Sequence, residues 1–196
     1  MNIDWFRKLL AYDLDTSPDN VSAIIRDHNA NVEGFPFYGQ YVGKRKIWDT
    51  RKNLIPVYDD PKDDRVATAM RRIEKRLSRT LFDRCSMSSL TNGSNGIVVS
   101  YGTAIGNGSM AAEHVKGHVS GSPKSVGYPT NILDVNGNFD CLLYLNIDSE
   151  KGRASVSTVI HEFGHAMGIA GHFNGYGCNK YEISILFWLV LKELYK

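Results

Sequence analysis

The chain has 196 residues, 42% of them hydrophobic and 11% aromatic, which excludes an intrinsically disordered chain and suffices for one domain with a real core. Its 23 Lys and Arg nearly balance 21 Asp and Glu, so no nucleic-acid partner is expected. Three Cys cannot all pair within one chain and 18 Gly show no period, which excludes a disulfide scaffold and a collagen.

The N-terminus has no basic stretch leading into a long apolar one, so no signal peptide is expected. Residues 1–45 read as a helical N-terminal segment and 46–196 as the main domain, the two forming one compact unit. Ser17-Pro18 followed by Val21, Ile24, Ile25 and His28 predicts a capped helix with one apolar face. Gly34 to Gly43 reads as a loop. Leu54 to Tyr58 reads as a strand at a sheet edge, because Pro56 cannot donate to a central ladder. Asp63 and Asp64 can cap the next helix, whose stripe is Val66, Met70, Ile73 and Leu77. Arg71, Arg72, Lys75, Arg76 and Arg79 crowd its remaining surface, as a solvated face or as a patch for an acidic partner.

Ile97 to Tyr101 reads as a strand, followed by a Gly-rich loop, Gly102 to Gly108. Val115 to Val119 reads as another short strand. Asn136-Gly137 between Ile132–Val135 and Asn138–Asn146 predicts a hairpin. The loop Asp134 to Asp140 superficially resembles a calcium loop. Its Gly falls at the fourth place rather than the sixth, and Leu145 stands where a bidentate Glu is needed, so a plain turn is expected. The apolar run from Ile183 to Leu191 is too short for a membrane span and reads as a buried helix, with partner docking as the alternative.

The chemistry lies in His161-Glu162-Phe163-Gly164-His165, on a helix expected from Ser155 to Gly168. Two His four apart on a helix stand about 40° apart around its axis, so both imidazoles can reach one metal. A metal acidifies the water that it binds, and Glu162 can take that proton and pass it to a leaving amine. This composition would produce the pattern by chance about 0.006 times. Hydrolytic zinc usually takes three protein ligands and keeps one position open. The nearest candidate for the third is His172, reached if Gly168 leaves the helix through a left-handed cap.

The run His161 to His172 resembles the HExxHxxGxxH motif of the metzincin clan of zinc endopeptidases, which includes the matrix metalloproteases. His172 falls one residue later than in that motif, with Gly171 as the extra residue, and no Met follows Met167 to supply the clan's Met-turn. The resemblance implies a divergent, matrixin-like zinc metalloendopeptidase acting on peptides or proteins, with one catalytic zinc. It also implies an α+β zincin fold: a twisted mixed sheet, an active-site helix and a short C-terminal subdomain. Secretion is a further implication. Leu142 to Ile147 is expected to be the edge strand that pairs with substrate.

Glu182, 17 residues after His165 at the start of the last helix, is the rival third ligand, as in the gluzincins. Tyr176 and Tyr181 are candidates to stabilise an oxyanion, a role that Tyr plays in some metzincins. His114 and His118 could hold a second zinc or be a solvated pair. His28 reads as structural. Cys178 reads as a packed thiol or a soft ligand, and Cys85 or Cys141 could block the metal in a latent form. The competing reading is an inactive zinc-binding module of peptidase ancestry.

Overall fold

The computed structural model describes residues 14–30, 43–59, 62–91, 94–101, 116–118, 133–140, 142–147, 155–178 and 183–196. Near the N-terminus, Ser17 Oγ accepts from the Asn20 N–H and Pro18 occupies the first helical position of α1 (Pro18–Ile25). Its buried face is Val21, Ile24 and Ile25. The chain then widens into a π-helical turn, Arg26–Ala30, which carries Asn29 and Ala30 inward.

A five-stranded sheet follows, built from β1 (Ile55–Tyr58), β2 (Phe82–Cys85), β3 (Gly96–Tyr101), β4 (Lys116–His118) and β5 (Leu142–Ile147). Its order is β2-β1-β3-β5-β4, with parallel pairs except the antiparallel β4–β5. Two expectations are corrected here. β1 is internal, not an edge. The Ile55 N–H donates to the Leu81 carbonyl on the β2 side, so the missing N–H of Pro56 faces β3. Pairing with β3 starts only at Val57, and the ladder loses no bond to the proline. β5 is internal too, paired with β3 over its whole length and with β4 on the other side. Leu143 and Leu145 are fully buried, as befits an apolar strand with neighbours on both sides. Among the described residues the outermost strand on this side is the three-residue β4, within the predicted 115–119 strand.

The Asn-Gly turn forms as expected. The Asp134 N–H donates to the Asn138 carbonyl, Leu133 bridges Phe139, and Gly137 takes φ +90°. The Asp134 carboxylate accepts from the N–H groups of Asn136 and Asn138 and so caps its own turn. The predicted long second flank does not continue as a hairpin arm, because β5 pairs with β3 and β4 instead.

The long helix α2 (Asp64–Leu77) is capped by Asp63, which accepts from the Arg65 N–H, and ends at Ser78 in left-handed conformation. It buries Val66, Met70, Ile73 and Leu77, the predicted stripe, and packs against α3 (Val156–Ala166). The last helix, α4 (Ile185–Leu194), is capped by Ser184 and buries Leu186, Phe187, Val190, Leu191 and Leu194. It therefore begins after Glu182, which lies outside the described residues. The chain is thus a mixed helix-and-sheet protein with one continuous core, in which Val21 of α1 and Leu194 of α4 both take part. Among the described residues no helix is long and apolar enough to cross a membrane.

Candidate metal centre

α3 is placed by its cap and its apolar side. Ser155 Oγ accepts from the Thr158 N–H, and Val159, Ile160, Phe163 and Ala166 are buried. Phe163 meets Phe82 edge-on at 5.4 Å, which ties the helix to the sheet. The helix packs against β4 and β5.

α3 ends as its glycine predicts. Gly168 takes φ +105°, and its N–H donates to the His165 carbonyl while that of Ile169 donates to Gly164. A Cβ on Gly168 would collide with the Lys46 carbonyl and lie 2.9 Å from Asn29 Nδ2. The returning loop is held from outside. Asn29 Nδ2 donates to the Gly168 and Lys46 carbonyls, each at 2.8 Å, and Asn29 Oδ1 accepts from the Lys46 N–H at 3.1 Å. Lys46 Nζ, buried with its pKa lowered by burial, donates to the Asn29 and Ala30 carbonyls. The Ala170 N–H donates to the His28 carbonyl at 2.8 Å, and the His28 ring packs on Phe173. The structural reading of His28 agrees with this. Asn29 and Lys46 were not singled out from the sequence, since no local pattern links either to Gly168.

This loop brings His172 onto α3. The Nε2 atoms of His161 and His172 are 3.0 Å apart, those of His161 and His165 3.2 Å, and those of His165 and His172 3.2 Å. An imidazole Nε2 offers one in-plane lone pair or one hydrogen, so three converging nitrogens cannot satisfy one another pairwise. A cation at their centre satisfies all three. Tetrahedral zinc with Zn–N bonds near 2.0–2.1 Å would set such nitrogens about 3.4 Å apart, close to what is found. Among the described residues this is the group that can hold a metal ion.

Each imidazole has a defined setting. His165 Nδ1 donates to the Ile169 carbonyl at 2.7 Å, which leaves Nε2 as the free donor atom for a metal. Burial pushes the His165 pKa down to about 4, reinforced by the neighbouring His161 and His172. His161 is buried, His165 half-buried and His172 exposed, so the group opens to solvent on the His172 side. Glu162, next to His161 on α3, is 8% exposed.

The floor of the centre is a tight turn between β6 (Phe173–Asn174) and β7 (Gly177–Cys178), in which Phe173 and Tyr176 exchange backbone hydrogen bonds. Tyr176 is fully buried, stacked on His161 with centroids 4.4 Å apart and on Phe187 at 5.0 Å. Its hydroxyl donates to the His161 carbonyl at 2.7 Å. Burial, and then the charge of Glu162, raise its pKa, so it stays protonated. A side chain at Gly164 would meet Tyr176 Oη at 2.7 Å, and one at Gly177 would meet His172 Cδ2 at 2.5 Å. Both positions need glycine because rings occupy the space. Tyr176 thus lies among the predicted site residues as a support beneath them.

Cys178 is half-buried on β7 and is not in the metal-holding group. Cys85 lies on the outer strand β2, where its thiol donates to Asp83. Of the second-zinc pair, His118 contributes backbone to β4, while His114 lies outside the described residues, as do Tyr181 and Cys141. Comparisons of the chain with protein-family models, with curated proteins and with solved structures find no match.

Proposed function

We propose that the protein is a zinc-dependent metalloendopeptidase with a metzincin-like catalytic domain. The observation that carries this reading is the convergence of three imidazole Nε2 atoms within 3.2 Å of one another, with Glu162 next to the first of them on the same helix. His161, His165 and His172 hold the ion, and the exposed side near His172 is where substrate enters. Zinc bound there would acidify a water and polarise a peptide carbonyl. Glu162 accepts the proton of the attacking water and delivers it to the departing amine. An extended peptide substrate adds to the outer side of β4, the outermost strand among the described residues, which stands where Leu142 to Ile147 was expected.

Glu162→Gln tests the mechanism. The variant should keep its zinc while cleavage of casein or a peptide library falls by about 10²-fold or more, the usual weight of a general base. Undiminished cleavage by the variant would overturn the assignment.

A further inference from the structure

We propose that the cleft where α2, α3 and α4 meet binds a phosphorylated ligand that carries an apolar body. The cleft, open to solvent along the side of its exposed cations, has a volume of about 740 Å³, within the range of small-molecule sites. Arg72, Lys75 and Arg76 line one side, Ser157 the start of α3, and Ile160, Ile183 and Trp188 the rest. None of the three histidines of the metal centre lines it, so the inference stands apart from the proposed hydrolysis.

The three cations occupy positions i, i+3 and i+4 of α2 and project from one face. Like charges at this spacing repel. Other arginines of this region are engaged: Arg65 with Asp63 at 2.7 Å, Arg71 with Thr68, and Arg79 with the Thr50 and Tyr195 carbonyls. No carboxylate lies among the described residues that line the cleft. Arg76 is instead set over the Trp188 ring, 5.5 Å from its centroid, a cation–π contact that orients the guanidinium.

These features select a ligand. Guanidinium forks match phosphoryl oxygens in pairs, and lysine adds a point charge. Ser157 stands in the first turn of α3, where the positive end of the helix favours an anion. A compact dianion can face all three cations at once, whereas the carboxylates of an acidic peptide carry single charges spread along a chain. Ile160, Ile183 and the indole of Trp188 give the apolar body its surface.

The test uses the full chain titrated with phenyl phosphate at low salt, followed by tryptophan fluorescence and calorimetry, with inorganic phosphate, benzoate and an oligoglutamate peptide in parallel. Saturable binding of phenyl phosphate is expected, at least about tenfold tighter than inorganic phosphate or benzoate and weakened by added salt. Arg72→Glu/Arg76→Glu should lose that binding, and Arg72→Ala, at an exposed position outside the Arg76–Trp188 contact, should weaken it with its thermal midpoint unchanged. Trp188→Phe should remove the optical signal while calorimetry still registers binding. The proposal is overturned by absent saturation with phenyl phosphate, by equal binding to the charge-reversed variant, or by tighter binding of oligoglutamate.

Discussion

The ring of Tyr176 lies beneath that of His161, tilted from it by only 23°, and its hydroxyl bonds to the carbonyl of the same residue. The same ring also contacts His165 at 5.2 Å and His172 at 5.7 Å. No methionine follows Met167 in this chain, and an aromatic ring clamped between His161 and Phe187 forms the base of the three-histidine group. Tyr176→Phe keeps the stack but removes the second donor to the His161 carbonyl, which keeps its helical partner in α3. It should cost about 0.5–1.5 kcal/mol of stability with metal binding retained. Tyr176→Ala removes the ring and should cost about 3–5 kcal/mol, with weaker metal binding. Chemical denaturation with and without metal measures both. A hydroxyl acting on an oxyanion would instead make Tyr176→Phe lose activity at unchanged stability.

Asn29 joins the N-terminal segment to the loop that carries His172. Asn29→Ala would strand the Gly168 carbonyl and two Lys46 backbone groups, at about 2–4 kcal/mol if each costs near 1 kcal/mol. The loop should loosen, and zinc affinity should fall by more than it does for an exposed control such as Lys52→Ala. Competition with a chromogenic chelator reads this directly.

The pH dependence follows from His165. Its folded pKa is depressed from 6.5 to about 4, so on unfolding below pH 6.5 the chain takes up a proton that the folded state excludes. The stability from this residue is fully present above pH 6.5 and is lost as pH falls toward about 4. The metal-free protein should therefore denature more easily across that window. The metal-loaded protein should release its ion over acidic pH, because protons compete for the same nitrogens. His165→Gln should flatten the metal-free pH profile between these values.

Much of this was legible from sequence. The Ser17-Pro18 cap, the α2 stripe, the Asn-Gly turn and the helix of His161 and His165 all depend on neighbours a few residues apart, and they form as read. Gly168 as a left-handed cap was legible for the same reason. Sheet order was not. Pro56 signalled an edge, yet its missing donor falls just outside the β3 ladder, and β5 gained an outer neighbour in β4. The clamp of Asn29 on Gly168 spans 139 residues and leaves no local pattern. Tyr176 was visible as a tyrosine near the site, but its direction depends on the turn at Phe173 and on Phe187 from α4.

The most direct test of the metal centre is X-ray absorption at the zinc edge on the purified full chain, paired with elemental analysis of His172→Ala. One zinc per chain is expected, with three nitrogen ligands at about 2.0–2.1 Å and one oxygen ligand from water, and a severe loss of zinc in the variant. A protein without stoichiometric zinc, or full zinc retention in His172→Ala with an unchanged ligand shell, would contradict the account.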